Sequence, residues 1–413
     1  MNERPQRSPW LFIPTLYFIE GLPYILINSV SIYMFKSFGV SNQVVGLTSI
    51  IMLPWVLKML WSPVVDMYSS KRSWAVCCQL VLGCCFFGVV FAVHLPIFLL
   101  SVVAILIGAA FVSATHDIAA DGYYMLALDK TKQAFFVGIR STAYRIAMLA
   151  GGLIATFAGI LEQKTANIPL SWSIAYGVMA VILVLAFFFH RWYLPVAEAR
   201  RGTSNERLPF AEAFKSYFQQ EKIVAILLFI LLYRLGEAVL ARMAIPFLLD
   251  PVANGGLGFS TAQTSLMRDV FGLSGLIVGG ILAGWLIARF GLKKCIWPMA
   301  LALNLPNVGY LYLAWAQPGL SVVYPIVVIE QFGYGVGFTA FMVFLMYIAK
   351  GPYKTSHYAI STGFMALGLM LPSMASGVLQ NLLGYVHFFL LVLILTIPGF
   401  ILLLFIPLED KTK

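Results

Sequence analysis

Long apolar runs with few polar interruptions fill almost the whole chain. About twelve of them are long enough to cross a hydrocarbon core of about 30 Å as helices, which takes about 20 residues each. The runs lie near residues 9–35, 42–66, 74–93, 96–127, 134–161, 170–190, 223–248, 262–288, 295–315, 319–348, 356–383 and 386–406. The pattern predicts an all-α polytopic membrane protein with twelve transmembrane helices.

The composition supports the same class. Hydrophobic residues make up 61% of the chain and charged residues 11%, with a mean hydropathy of +0.88. The first run resembles a secretory signal, but it is long, contains Glu20 and lacks a small-residue cleavage pattern, so we expect it to remain as the first span. The five cysteines all lie in predicted spans, which gives no sign of a disulfide framework.

The distribution of cations predicts the orientation. Nineteen of the 27 Lys and Arg residues fall in alternate loops and at the termini, whereas the loops on the other side hold only Lys36 and Lys164. Because cytoplasmic loops collect Lys and Arg, both termini are predicted to be cytoplasmic. The net charge of +10 then reflects topology. No nucleic-acid partner is expected.

The chain also repeats itself. Six spans, in residues 1–190, precede the one long polar segment, 191–222, and six follow it in residues 223–413. Features recur about 217 to 220 residues apart, including Glu20 and Glu237 in the first and seventh spans. Two parallel six-helix halves joined by a cytoplasmic linker describe the major facilitator fold, in which the solute site lies near the bilayer midplane.

Apart from Asp66 at the last position of the second run, twelve Asp, Glu, Lys and Arg side chains lie inside the apolar runs, six acidic and six basic. They are Glu20, Asp117, Asp121, Glu237, Asp269 and Glu330 together with Lys58, Arg140, Arg145, Arg234, Arg242 and Arg268. Each would cost about 2.5 to 3.5 kcal/mol if it faced hydrocarbon alone. They therefore predict a polar interior enclosed by the helices, through which a solute passes.

Asp117 and Asp121 form the sharpest local signal. Residues four apart share one face of a helix, where like charges repel. Such a pair suits a site that takes up and releases a proton, and we predict that it couples transport to protons. The alternative is a static ion-pair network with Lys58 and Arg140. We also expect Arg140 to act in gating.

His116 and Asp121 have the H-x4-D spacing of membrane acyltransferases, which raises an enzyme hypothesis. On a helix, five residues turn the chain by about 500°, so these side chains point about 140° apart. The spacing therefore argues against an enzyme.

Several other polar residues are placed to bind a solute. Glu20 and Glu237 lie near mid-depth beside helix breakers, and interrupted helices free backbone groups to face a cavity. Arg234 can bind the solute or simply pair with Glu237. Glu330 and Gln331 in the tenth span suit hydroxyl or amide groups, and the adjacent Tyr144 and Arg145 suit an anionic or sugar group.

A second set of charges is predicted to gate the path. Asp66 and Arg72 flank the short turn after the second span, and Arg289 holds the corresponding place after the eighth. Ion pairs at helix ends can be made in one rocking state and broken in the other. Arg268 and Asp269 are predicted to form an exterior gate pair.

Motifs in both halves resemble one family. They are Lys58-Met-Leu-Trp61-Ser62-Pro63-Val-Val-Asp66, Ser113-Ala-Thr-His-Asp117-Ile-Ala-Ala-Asp121, Tyr144-Arg145, Leu232-Tyr233-Arg234-Leu235-Gly236-Glu237 and the series from Glu330 to Phe341. Over nearly its whole length the chain resembles the AmpG-type permeases, in the peptide and acetyl-CoA transporter branch of the major facilitators. The resemblance implies proton-driven import of N-acetylglucosaminyl-anhydro-N-acetylmuramyl peptides.

The same resemblance implies roles for particular residues. Asp117 and Asp121 would be the important carboxylates of the fourth span. The residues that would line or support the cavity are Lys58, Tyr144, Arg145, Arg234, Glu237 and Glu330. One departure from the family pattern is the apolar and aromatic stretch 122–128, and another is Glu20, where a small or neutral residue is common.

The sequence thus predicts a monomeric, proton-coupled importer of peptidoglycan fragments in the bacterial inner membrane, working by alternating access. Its partners would be a small polar solute, protons and membrane lipid, with no cofactor and no metal. A siderophore or another sugar or peptide conjugate is the alternative cargo. A polytopic membrane enzyme or lipid-handling protein is the alternative of another class.

Overall fold

A computed structural model describes residues 7–62, 65, 69–128, 130–196, 210–349 and 354–408. Regular structure in these ranges is entirely helical. Nine of the described helices are long and apolar enough to span a membrane. They are Pro9–Ser37, Lys71–Ala92, Phe98–Ala127, Gly138–Thr165 (within the helix Lys130–Thr165), Ile168–Tyr193, Ile223–Leu249, Thr261–Phe290, Leu320–Ile348 and His357–Leu402.

The remaining predicted spans are present as interrupted helices. The second consists of Asn42–Leu47 and Leu53–Leu57 with the 3-10 turns Thr48–Met52 and Lys58–Leu60, and the ninth of Leu292–Asn304 and Asn307–Ala316. The eleventh and twelfth form one run, Lys354–Ile394, followed by Ile397–Leu402. Gly384 interrupts that run with φ 68°, a backbone conformation that suits glycine. The prediction of twelve transmembrane helices is confirmed.

Three further spans contain irregular turns. The seventh breaks at Tyr233 and Arg234, between Ile223–Leu232 and Leu235–Leu249, next to the predicted breaker. The first stays α-helical through Glu20 and Pro23, and its irregular part is the π turn Leu26–Val30. Proline lacks an N–H and disturbs the bonding of the residues around it. After Pro23, the Leu26 N–H donates a bifurcated hydrogen bond to the carbonyls of Leu22 and Pro23. The eighth span contains the π turn Leu266–Gly272.

The chain forms two compact units. Unit 1 comprises Met1–Phe38 and Leu57–Ser204, and unit 2 comprises Gly39–Val56 and Asn205–Lys413. In unit 1 a buried core joins the first span to the C-terminal end of the fourth, through residues such as Phe12, Leu16 and Tyr123. In unit 2 the core centres on Phe229, Phe341 and Phe344 of the seventh and tenth spans.

The segment Gly39–Val56 belongs to unit 2, although it lies within the predicted first half. Hydrogen bonds explain the difference. Arg242 donates to the Val45 carbonyl at 2.9 and 2.7 Å and to the Thr48 hydroxyl. The division of the chain into two six-helix halves, 1–190 and 223–413, therefore stays a prediction.

A second bonded group holds the start of this segment. Asn42 donates to Asp250 and Gln380 at 2.8 Å each and to the Tyr385 hydroxyl at 2.9 Å. Tyr385 in turn donates to Asp250 at 2.6 Å. These bonds tie the beginning of the second span to the seventh and eleventh.

The predicted linker contains a helix, Phe210–Phe218. Tyr217 of this helix is fully buried, and its hydroxyl lies 2.9 Å from that of Ser361. Ser216 lies 2.9 Å from the ring of His357. The helix is therefore docked against the eleventh span within unit 2.

We predict that Gly377→Ala destabilises the protein whereas Gly284→Ala does not. A Cβ at Gly377 would overlap the carbonyl oxygen of Asn42, whereas a Cβ at Gly284 would meet nothing within 4 Å. Forcing the two backbones apart should cost about 1–3 kcal/mol. Thermal unfolding of the purified protein in detergent measures the difference. Equal midpoints for the two variants would contradict the close helix contact.

Candidate transport site

A cluster of five charged side chains lies inside unit 1. It contains Glu20 from the first span, Lys58 at the end of the second, Asp117 and Asp121 from the fourth, and Arg140 from the fifth. Three carboxylates and two cations leave one negative charge in excess.

Small residues allow the contributing helices to approach. A Cβ at Gly21 would lie 2.9 Å from the Tyr144 carbonyl oxygen and from the Ala147 Cβ, and one at Gly151 would lie 2.5 Å from Ile25. The first and fifth spans can therefore pack backbone to backbone beside Glu20, as small residues allow in membrane helices.

Asp121 is held by two donors. Arg140 lies 2.8 Å from its Oδ1, and the Tyr17 hydroxyl donates to the same oxygen at 2.8 Å. Arg140 also donates to the Tyr17 hydroxyl at 2.7 Å, and its guanidinium lies 5.0 Å from the Tyr17 ring and 4.9 Å from the Tyr124 ring. The predicted proximity of Asp121 and Arg140 is present, and Tyr17 completes the group.

Asp117 pairs with Lys58 at 3.5 Å, and Glu20 lies within electrostatic range of both aspartates and both cations. Only 8% of Glu20 is exposed, and its Oε2 has no hydrogen-bond partner in the described part of the chain. Glu20 is therefore the carboxylate of the cluster with the least compensation. It departs from the common family pattern and still lies among the predicted carboxylates.

Tyr144 and Arg145 lie one turn beyond Arg140 on the same helix, and both are half-buried. The Tyr144 ring lies 6.4 Å from that of Tyr24, tilted by 45°. Aromatic faces so arranged can contact a sugar ring.

A second charged group lies in unit 2. Arg234 and Glu237 pair at 2.8 Å with side-chain exposures of 7% and 6%. Arg234 also donates to the Tyr334 hydroxyl at 2.8 Å and packs on the Phe338 ring at 4.8 Å. Arg234 and Glu237 thus form an ion pair. This pairing is the alternative to solute binding that the sequence left open for Arg234.

Glu330 and Gln331 are joined directly, with the Gln331 amide donating to the Glu330 carboxylate at 2.9 Å. Glu330 is buried and lies within electrostatic range of Arg268 and Glu237. Arg268 pairs with its neighbour Asp269 at 3.7 Å and lies in the π turn of the eighth span. Arg268 of the predicted exterior pair thus lies within electrostatic range of Glu330, one of the predicted solute-binding residues.

The charges predicted to gate the path at the ends of the second and eighth spans are described only in part. Asp66 lies outside the described residues. Arg72 donates to the Leu194 carbonyl at 2.9 Å and to the Arg191 carbonyl, both within unit 1. Arg289 lies over the Trp285 and Phe290 rings, at 5.5 and 5.3 Å. The gating roles stay predictions.

The enzyme hypothesis finds no support in the directions of its two residues. His116 is buried and lies 3.1 Å from the Gln79 amide, which contacts His190 at 2.9 Å. His116 thus bonds toward the third and sixth spans, whereas Asp121 bonds toward the first and fifth. The two side chains do not act on one point.

The aromatic stretch after Asp121 is explained by packing within unit 1. Tyr123 donates to the Pro195 carbonyl at 2.9 Å and Tyr124 to the Gln133 carbonyl. A Cβ at Gly122 would lie 2.8 Å from the Lys71 side chain. The stretch that departs from the family pattern thus anchors the C-terminal end of the fourth span and places the Tyr124 ring against Arg140.

Sequence reasoning missed Tyr17 and Tyr334, the hydroxyl partners of the two charged groups. Tyr17 lies three residues before Glu20, so helical spacing was an available signal. Tyr334 lies on a different helix from Arg234, a hundred residues away, and the sequence held no sign of their contact.

Ionisable groups enclosed by helices that are long and apolar enough to span a membrane are typical of membrane transport proteins. The chain belongs to the Major Facilitator Superfamily, whose sequence profile matches residues 15–358.

Similar proteins agree with this assignment. The putative transporter AmpG 4 of Rickettsia conorii is 25% identical over 404 residues, covering 94% of each chain. The anhydromuropeptide permease of Escherichia coli (strain K12) is 25% identical over 411 residues, covering 96% of this chain and 79% of that one. The chain is thus similar to AmpG-type permeases over nearly its whole length.

Solved structures share the fold. The nucleoside transporter NupG matches with a TM-score of 0.74 at 15% identity, covering 96% of this chain and 97% of that one. A D-xylose-proton symporter matches with a TM-score of 0.74 at 12% identity, covering 95% of each chain.

We predict that Arg234→Gln destabilises the protein more than Arg140→Gln. Removing Arg234 leaves Glu237 charged and buried, which should cost about 3 kcal/mol or more. The Arg140–Asp121 pair has side-chain exposures of 30% and 48%, so its loss should cost about 1 kcal/mol. Thermal unfolding in detergent compares them, with the exposed Arg289→Gln as control. A larger loss for Arg140→Gln would contradict this ranking.

Proposed function

We propose that this protein is a proton-coupled importer of peptidoglycan fragments, namely anhydromuropeptides, across the bacterial inner membrane. The observation that carries the proposal is the partly buried cluster of Glu20, Lys58, Asp117, Asp121 and Arg140, in a chain similar to an anhydromuropeptide permease. The protein works as a monomer by alternating access, with both termini cytoplasmic.

The charge count of the cluster supports proton coupling. One uncompensated negative charge in a low-dielectric interior is costly, and one bound proton removes that cost. Asp117 and Asp121 each keep one cationic partner, and Glu20 lies between the two pairs electrostatically. One proton is therefore shared among the three carboxylates. When it binds, it changes the charge that Asp117 or Asp121 presents to its partner, Lys58 or Arg140.

The chemistry of the cargo fits the side chains of each unit taken separately. An anhydromuropeptide carries sugar rings, amides and carboxylates. In unit 1, Tyr24 and Tyr144 offer aromatic faces to the sugars and Arg145 offers a cation to a carboxylate. In unit 2, Glu330 and Gln331 offer acceptors and donors to hydroxyls and amides.

The uptake experiment uses proteoliposomes with an imposed proton gradient and a labelled anhydromuropeptide. We expect gradient-dependent uptake by the native chain and a loss of at least about tenfold, equivalent to about 1.4 kcal/mol, in Asp117→Asn and Asp121→Asn. The matched control is Glu221→Gln, which neutralises an exposed carboxylate outside the spans and should transport normally.

Solute exchange without a gradient separates coupling from binding. A variant that keeps exchange but loses gradient-driven uptake has lost coupling, whereas one that loses both has lost binding. Absence of uptake by the folded native protein would reject this cargo. Siderophores and other glycan conjugates would then be tested in the same vesicles.

We predict that Tyr17→Phe slows transport by roughly tenfold, because a hydrogen bond to a charged group contributes about 1.5–3 kcal/mol. The change removes the hydroxyl that contacts both Asp121 and Arg140 and leaves the ring in place. Tyr176→Phe is the control, since within the described ranges its hydroxyl bonds only to the Leu26 carbonyl, at 3.2 Å. Equal uptake by both variants would exclude Tyr17 from the site.

A further inference from the structure

Unit 1 contains a concave site apart from the charged cluster. It is a cavity of about 680 Å³, and four cations line it: Arg7, Arg72, Lys132 and Arg191. None of its lining residues belongs to the cluster of Glu20, Asp117 and Asp121. The cavity lies where the first, third, fourth, fifth and sixth spans end on the predicted cytoplasmic side.

Backbone carbonyls hold two of the cations in place. Arg7 donates to the carbonyls of Trp192 and Leu194, the latter at 3.4 Å, and its guanidinium lies 5.7 Å from the Trp192 ring. Arg72 donates to the carbonyls of Leu194 and Arg191. Carbonyl oxygens orient a guanidinium without cancelling its charge, and each arginine has five N–H donors to share.

The cavity is strongly positive. Among its lining residues in the described part of the chain there are four cations and no carboxylate. Arg191 and Lys132 both line the cavity with exposed side chains. Guanidinium and ammonium groups gathered in this way suit the geometry and the charge of a phosphate.

The rim of the cavity indicates where that phosphate comes from. Trp192 is 71% exposed and Val196 is 56% exposed at the end of the sixth span. Exposed tryptophans at the ends of spans lie at the level of lipid head groups. Basic pockets between transmembrane helices on the cytoplasmic side bind acidic head groups. A lipid would place its phosphate among the cations and its acyl chains beyond Trp192.

We propose that this cavity is a binding site for the phosphate of an acidic phospholipid from the cytoplasmic leaflet. The lipid would join the helix ends that Arg7, Arg72 and Arg191 bring together, and would thereby stabilise unit 1 on its cytoplasmic side. This site is independent of the cargo and of proton coupling.

Native mass spectrometry of the full chain in detergent tests the proposal, with phosphatidylglycerol and phosphatidylcholine as probes. We expect phosphatidylglycerol to bind as a discrete adduct, and phosphatidylcholine to bind more weakly. In the double variant Lys132→Gln/Arg191→Gln, affinity for phosphatidylglycerol should fall roughly tenfold to thirtyfold, since each cation near an anionic lipid contributes about a fivefold factor. Lys294→Gln is the matched control, an exposed cation on the same predicted side outside the cavity.

The outcomes are distinct. Equal binding of the two lipids, or equal affinity in the double variant and the control, would overturn the proposal. Displacement of phosphatidylglycerol by an equal concentration of glycerol phosphate would overturn the lipid assignment and leave a site for soluble phosphate esters. Thermal unfolding without added lipid checks that the double variant is folded. If it is not, Arg191→Gln alone, which removes no hydrogen bond made by its side chain among the described residues, replaces it.

Discussion

The cost of an ionised group in an apolar interior governs the arrangement of this protein. Each charge placed among lipid-facing helices must find a partner on another helix or a neighbour on its own, or it would prevent the span from inserting. Arg234 and Glu237 pair with each other one turn apart, and both are almost fully buried. Asp117 and Asp121 instead pair with cations on other helices, Lys58 and Arg140. The second solution joins three helices, and its partial exposure leaves those groups accessible to a solute or a proton.

Close helix contact makes these pairings reachable. Glycine removes the side chain that would separate two helices, and in a membrane this packing does much of what the hydrophobic effect does in water. Gly21 and Gly151 bring the first and fifth spans together beside Glu20, while Gly46 and Gly377 join the second and eleventh within unit 2. The polar groups and the small residues therefore depend on each other, because close approach of the helix backbones sets the distance over which the charges pair.

The two charged regions of unit 1 illustrate how surroundings decide the role of a charge. In the inner cluster, cations and carboxylates nearly balance, and the excess of one negative charge suits exchange with a proton. In the basic cavity, Arg7 and Arg72 are bonded to neutral carbonyls, so their positive charge remains available. The same residue type is the ion-pair partner of a carboxylate at Arg140 and lines the proposed anion site at Arg72.

Much of this architecture follows from the sequence alone, because a bilayer admits few structures: an apolar run of about 20 residues spans it as a helix. The number of spans and the location of Glu20, Asp117, Asp121 and Glu237 within them could therefore be predicted, as could the break beside Arg234. Only the tertiary structure decided which helices meet. Helical periodicity gives the face of a residue but not its neighbour, so the contacts of Tyr17 with Asp121 and of Tyr334 with Arg234 were out of reach. The assignment of Gly39–Val56 to unit 2 likewise depends on bonds from Arg242 and Asn42 to groups about 200 residues away or farther, whose meeting is set by packing and by no local pattern.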